Sequence, residues 1–105
     1  MRFEWDGVKA KVNFTKHGVL FETAALVFED PSALTRLDAI NSEQEQRYIT
    51  LGLVDQSSIL FVVHTYEIKD EQEVARIISA RVATRKERKL YEKAHDCATA
   101  KSRRH

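Results

Sequence analysis

The segment Ile59-Leu60-Phe61-Val62-Val63-His64-Thr65-Tyr66 predicts the centre of the fold, because its odd-numbered and its even-numbered positions are both apolar for most of its length. A strand with two apolar sides is covered on both faces and lies centrally in a sheet. Further strands are predicted at Tyr48–Leu53 and Val74–Val82. The turn-prone segment 55–58 and the charged segment 69–73 separate the three strands. We therefore predict a three-stranded meander.

Outward from the meander, the sequence predicts three helices and two short strands. The short strands are Phe3–Trp5 and Leu34–Leu37. The first helix follows an Asp6 cap, carries an apolar stripe, and ends near His17 with Gly18 as its left-handed stop. The stripe consists of Val8, Val12 and Leu20.

The second helix is predicted at Glu22–Glu29, and Asp30-Pro31 closes it. The third begins at the capping box Thr84-Arg85-Lys86-Glu87 and continues to about His95. This order predicts an α+β domain, with two N-terminal helices and one C-terminal helix on one face of an antiparallel sheet. The opposite face is then open to carry a site.

Length and composition are typical of one soluble globular domain: 105 residues, 43% hydrophobic and 31% charged. We predict a single domain over residues 1–96 and a basic, flexible tail over 97–105. No segment approaches the roughly 18 apolar residues of a membrane span, and the N-terminus has no apolar signal core. Cys97 is the single cysteine, which is typical of a reducing compartment. These features predict a cytoplasmic protein without membrane contact.

The charge is segregated along the chain, although the net charge is only +1. Residues 1–75 carry 7 Lys and Arg against 13 Asp and Glu, and residues 76–105 carry 10 against 3. Such an arrangement creates a local positive field, which suits a nucleic-acid partner, although a solvated basic helix would look similar.

The common catalytic and metal-binding motifs are absent: there is no phosphate loop, no paired-cysteine zinc spacing and no nucleophile elbow. The four histidines lie in different elements without ligand spacing. We therefore expect no metal site, no cofactor and no nucleotide-driven chemistry.

Several polar side chains remain as candidates, and each also has a structural interpretation. Lys16 and His17 end the first helix, where cations are favoured by the helix dipole. Glu45 and Arg47 precede a strand and could form a surface ion pair. His64 lies on a central strand, where a hydrogen-bonded core histidine is the commoner role, although an imidazole there can also transfer protons.

The third strand of the meander carries Arg76 and Arg81 near its two ends. Arginine suits bidentate phosphate contact, whereas a charged edge strand would look similar. Because the two are five positions apart, regular alternation predicts that only one of them faces a given side. Tyr48 could stack on a base and Arg85 could contact phosphate, but packing and solvation explain such residues equally well.

Four blocks in series resemble the BrnT family of bacterial toxins, and the resemblance covers residues 2–92. The blocks are Phe3-Glu4-Trp5-Asp6 through Asp30-Pro31, then Ser42 with Glu45, Arg47-Tyr48 and Leu51-Gly52, then Val62-Val63-His64-Thr65, and finally Arg76-Ile77-Ile78-Ser79-Ala80-Arg81 with Ala83-Thr84 and Glu87-Arg88. One position departs from the family pattern: Glu67 stands where many relatives carry an arginine.

The resemblance implies a RelE-like fold and a ribonuclease that arrests translation. It also implies neutralisation by a BrnA-like antitoxin that binds DNA, so that the toxin meets DNA only through its partner. If that antitoxin dimerises on DNA, the complex holds two toxin copies. The residues that the resemblance carries over are Lys16, His17, Glu45, Arg47, His64, Arg76 and Arg81.

Metal-free RNA cleavage uses the 2′-hydroxyl of the substrate as the nucleophile, and it needs a base, cationic donors and an acid. We expect Glu45 or His17 as the base, and His64 or Lys16 as the acid. Arg47 and Arg81 would stabilise the phosphate. The residues expected to bind RNA are Lys16, Arg76, Tyr48 and Arg85. The alternatives are a non-catalytic module that binds RNA or the ribosome, and a purely structural domain.

Overall fold

The computed structural model describes residues 1–40 and 45–103, and the side chains of the last helix as far as Ala94. Ser42 and the side chain of Cys97 lie outside the described residues. The elements in chain order are β1 (Arg2–Glu4), α1 (Gly7–His17), α2 (Phe21–Ala24), a 3₁₀ helix (Ala25–Glu29), β2 (Leu34–Leu37), β3 (Tyr48–Val54), β4 (Ser58–Lys69), β5 (Gln72–Val82) and α3 (Arg85–Arg103).

The five strands form one sheet in the order β1-β5-β4-β3-β2, with β4 central as predicted. β2, β3, β4 and β5 pair antiparallel, which confirms the predicted meander. β1 pairs parallel with β5, although the helices and the other strands separate the two along the chain. The α+β class with two N-terminal helices and one C-terminal helix is confirmed.

Side chains alternate between two faces of the sheet, and each face has its own core. The inner face carries Leu60 and Val62 of β4 and packs against α1, α2 and the 3₁₀ helix. The outer face carries Phe61 and Val63 of β4, and Tyr91 of α3 packs over one end of it. The expectation that all helices share one face is therefore wrong, because α3 covers part of the outer face.

Phe21 is 1% exposed at the centre of the inner core. Burial of one such side chain stabilises the fold by about 1.5–3 kcal/mol. Gly52 of β3 allows the 3₁₀ helix to approach the sheet, because a Cβ there would lie 2.6 Å from the Cβ of Val27.

Local signals in the sequence explain the ends of the first helix. The carboxylate of Asp6 accepts hydrogen bonds from the backbone N–H groups of Val8 and Lys9, and Gly18 adopts a φ of 69°. The apolar stripe of this helix does not face the core, because Val8 and Val12 are 72% and 54% exposed. The helix instead buries Asn13 against the sheet.

Two other helices differ from the expectation in their extent. The segment predicted as one helix at Glu22–Glu29 is a short α2 followed by a 3₁₀ helix. Helix α3 begins with the predicted capping box and continues beyond His95 to Arg103. The division into a domain over 1–96 and a flexible tail stays a prediction. Within the residues described, no helix combines the length and apolarity needed to cross a membrane.

Candidate functional site

A β-bulge brings Arg76 and Arg81 to the same face of the sheet. Arg81 lies opposite Phe61 and Arg76 lies opposite Thr65, and the register shifts between these pairs because β5 carries one extra residue near Ile78. Phe61 and Thr65 are four positions apart on a strand without an insertion, so their paired arginines both face outward. The expectation that only one arginine faces a given side is therefore wrong.

Glu45 joins one of these arginines to a third. Its Oε1 lies 2.6 Å from Nη2 of Arg76 and 3.9 Å from Nε of Arg47. The three side chains are between 34% and 47% exposed, so solvent and a ligand can reach them. We call Glu45, Arg47 and Arg76 the Glu45 cluster. It combines a proton acceptor with two permanently charged donors, which is a suitable set for a phosphodiester.

Arg81 is held at the other end of the outer face by the start of α3. It donates from Nη1 and Nη2 to the two carboxylate oxygens of Glu87, at 2.7 and 2.9 Å, and its guanidinium lies 3.9 Å from the centre of the Phe61 ring. Glu87 also belongs to the capping box with Thr84. The hydrogen bonds from Arg81 hold the pKa of Glu87 below its ordinary value.

Lys16 and His17 lie beside the bulged segment of β5. Together with Lys9, they line a cleft of about 230 Å³ against Ile78 and Ser79, the residues between the two outer-face arginines. The position of α1 is set by Asn13, whose side-chain amide donates to the carbonyl oxygen of Ala80 and accepts from its N–H.

His64 lies on the inner face and is 2% exposed. Its Nδ1 is 3.0 Å from the carbonyl oxygen of Thr65 and its Nε2 is 2.8 Å from the hydroxyl of Thr50. Burial lowers the pKa of His64, so the imidazole is neutral near pH 7. The sheet separates it from the Glu45 cluster and from Arg81.

The structure thus divides the residues proposed from the sequence. Glu45, Arg47, Arg76 and Arg81 share the outer face, and Lys16 and His17 lie at its edge. Tyr48 shares the inner face with His64, at 6.0 Å between ring centroids. Arg85 begins α3 and is exposed.

Two contributors were missing from the sequence-based set. Glu87 was recognised only as part of a capping box, although a capping box directly after β5 necessarily lies close to Arg81. Asn13 was not among the candidates, and its pairing with Ala80 has no local signal because the two are 67 positions apart.

The donor groups for a metal are not assembled in the part of the chain that the structure describes. Across residues 1–40 and 45–94, no three His, Cys, Asp or Glu side chains lie close enough together to hold a metal ion.

The candidate site falls within a region that matches known proteins. A family model described as the ribonuclease toxin BrnT of type II toxin–antitoxin systems matches residues 5–87. The 1.1 Å crystal structure of the Brucella abortus ribonuclease toxin BrnT superposes with a TM-score of 0.61 at 28% sequence identity. That alignment covers 81% of this chain and 99% of the Brucella chain. A search of curated protein sequences returned no significant match.

Proposed function

The chain belongs to the BrnT family of ribonuclease toxins of type II toxin–antitoxin systems, and on that premise we propose that it cleaves RNA at the outer face without a metal ion. The observation that carries this proposal is the Glu45 cluster, where a carboxylate contacts Arg47 and Arg76 on the face that also carries Arg81. The scissile phosphate binds between Arg47 and Arg76.

Substrate binding activates the carboxylate. In the unbound chain, Arg76 donates to Glu45 at 2.6 Å. A phosphate competes for the same guanidinium, because its oxygens accept bidentate hydrogen bonds equally well. Once Arg76 turns to the phosphate, Glu45 is available to take the proton of the adjacent 2′-hydroxyl.

The reaction is an in-line displacement at phosphorus. The proton of the 2′-hydroxyl passes to Glu45, the O2′–P bond forms and the P–O5′ bond breaks. The departing O5′ takes a proton, and the products are a 2′,3′-cyclic phosphate and a 5′-hydroxyl. Arg47 and Arg76 act by stabilising the extra negative charge on the phosphorus oxygens, while Arg81 contacts a second phosphate of the same strand.

The proton for O5′ comes from the helix α1 side of the site. Lys16 is exposed and lines the cleft beside Ser79, on the strand that carries both outer-face arginines. His64 is less suited to this role because it is buried behind the sheet with both ring nitrogens engaged. His17 neighbours Lys16 and contributes to the same cleft.

The partners follow from membership of a type II system, in which a protein antitoxin neutralises the toxin. We propose that cleavage of cellular RNA by this chain arrests translation and growth, and that a BrnA-like antitoxin binds DNA and the toxin together. A dimeric antitoxin would then hold two copies of this chain.

The direct test is to incubate the purified chain with total RNA in excess EDTA. Glu45→Gln should reduce cleavage by about 10²–10⁴-fold through the loss of a base. Arg76→Ala should reduce it by about 10²–10³-fold through the loss of a donor to the transition state. Glu22→Gln and Lys11→Ala are matched controls, because both residues are exposed and line a different cleft from Lys16 and His17.

Cleavage that survives EDTA and is lost in the two site variants supports the proposal. Cleavage that requires added metal contradicts the mechanism. RNA binding without any cleavage would instead favour a non-catalytic module that acts by occupying RNA or the ribosome.

A further inference from the structure

A second concave site lies on the inner face, where β3 begins. It has a volume of about 320 Å³ and is open to solvent on one side. Most of its wall is aromatic, and its lining consists of Met1, Phe28, Thr35, Tyr48, His64 and Tyr66. None of the roles assigned to the outer face accounts for this cleft.

The aromatic side chains of the cleft are held in place. The rings of Phe28 and His64 meet edge to face at 4.8 Å between centroids. The hydroxyl of Tyr48 donates to Oε1 of Gln46 at 3.2 Å. The hydroxyl of Tyr66 is hydrogen-bonded to Glu73, which raises the pKa of Tyr66, and the residue remains 40% exposed.

A chain of hydrogen bonds determines the polarity of the Thr35 hydroxyl. The carbonyl of Thr65 can only accept, so Nδ1 of His64 carries the proton and Nε2 accepts from Thr50. The Thr50 hydroxyl has one proton, so it must accept from Thr35 at 2.8 Å. Thr35 therefore presents only lone pairs to the cleft, where it accepts an N–H donor.

The cleft is adjacent to the Glu45 cluster along the chain. Tyr48 follows Arg47 directly, and Gln46 lies between Arg47 and Glu45. From Thr65 to Lys69, β4 has an edge at which no described residue of β3 pairs with it. A single strand whose phosphate lies at the Glu45 cluster can pass this edge and place a neighbouring base on the inner face.

From the aromatic walls, the acceptor-only Thr35 and the adjoining Glu45 cluster, we propose that this cleft binds one unpaired base of the substrate RNA next to the scissile phosphate. This inference rests on the proposed ribonuclease function. A planar base stacks on aromatic side chains in single-stranded nucleic acid complexes. All four bases carry an N–H group that can donate to Thr35. We therefore expect the cleft to require an unpaired base and to discriminate little among the four.

The test measures binding without cleavage. The probe is a fluorescent 2′-fluoro RNA heptanucleotide, which lacks the nucleophile, compared with versions in which one base at a time is replaced by an abasic residue. In the wild-type chain, loss of one particular base should weaken binding by roughly tenfold or more. The substitution Tyr66→Ala should remove this position effect.

The control is Ile68→Ala, since Ile68 is 68% exposed, follows Tyr66 on the same side of β4 and does not line the cleft. It should leave the position effect unchanged. Thr35→Val should reduce the effect by about fivefold, the contribution of one hydrogen bond, and Thr35→Ser should retain it.

Two results would overturn the inference: no position whose base matters by more than threefold, or an identical profile in the Tyr66→Ala variant. Failure of the ribonuclease proposal would look different from failure of this inference. The wild-type chain would then show the position effect in binding but would leave RNA intact in EDTA.

Discussion

Arg76 and Arg81 face the same side of the sheet although they are five positions apart, because the bulge near Ile78 adds one residue to β5 between them. Their partners Phe61 and Thr65 lie about 13 Å apart along β4. This spacing places the two guanidinium groups at opposite ends of one open face. A bound strand of RNA can therefore contact both.

We expect each arginine to contribute about one phosphate contact. The logarithm of the affinity for single-stranded RNA falls with the logarithm of the salt concentration, with a slope of about −0.7 per phosphate contact. Arg76→Ala and Arg81→Ala should each reduce the magnitude of this slope by about 0.7, measured with a 2′-fluoro oligonucleotide. Lys11→Ala, on the inner side, should not change it. Slopes unaffected by both arginine variants would remove these residues from the RNA surface.

Asn13 should be the polar side chain of α1 that matters most for stability. Its amide satisfies the N–H and carbonyl of Ala80 and the carbonyl of Val19, all in a buried setting. Asn13→Ala should lower the free energy of unfolding by about 3 kcal/mol, because each unsatisfied buried group costs about 1–3 kcal/mol. Urea unfolding measures this change, and the exposed Thr15→Ala should stay within about 0.5 kcal/mol. A loss below 1 kcal/mol for Asn13→Ala would contradict the assigned role.

Gly52 should not tolerate a side chain. An added Cβ would lie 2.6 Å from the Val27 Cβ and 3.0 Å from its Cα and carbonyl oxygen. Gly52→Ala should lower the free energy of unfolding by about 2 kcal/mol. Val27→Ala should not relieve the strain, because alanine keeps all three of these atoms. Gly7→Ala is the control, since nothing lies within 4 Å of that position; an equal cost at both glycines would refute the close approach.

Acid should destabilise the fold through His64. Burial places the folded pKa of His64 below its ordinary value of 6.5, so the unfolded chain takes up the proton first. The stability that His64 contributes is fully present above the unfolded pKa and is lost as the pH falls through 6.5 toward the folded pKa. The urea midpoint should therefore fall more between pH 7.5 and 5.5 in the wild-type chain than in His64→Gln. Equal falls in the two proteins would show that His64 is not the group responsible.

Local patterns predicted the elements well, because caps and breakers act over a few residues. The Asp6 cap, the Gly18 stop, the strand Leu34–Leu37 and the Thr84 capping box all depend on adjacent positions. The position of α3 over the outer face was not predictable in this way, since it depends on the contact of Tyr91 with Leu51 and Ile59 across the sheet.

The sequence indicated which residues could belong to the candidate site, but not how they are arranged in space. Alternation along a strand indicates which residues share a face: in the structure His64 lies with Leu60 and Val62, and Arg47 precedes Ile49 and Leu51 on the other face. A bulge, however, is a mismatch between two strands, so the sequence of β5 alone cannot reveal it. The contact between Glu45 and Arg76 likewise joins residues 31 positions apart and depends on the register of the whole meander.

The chemistry at the Glu45 cluster is tested most directly by the ends of the RNA product. We would treat a single-stranded RNA with the purified chain in EDTA and identify the termini by mass spectrometry. The mechanism proposed for this cluster gives a 2′,3′-cyclic phosphate and a 5′-hydroxyl, and no cleavage where the attacking ribose is 2′-fluoro. A 5′-phosphate and a 3′-hydroxyl, or cleavage next to a 2′-fluoro ribose, would contradict it, because neither outcome is compatible with attack by the 2′-hydroxyl.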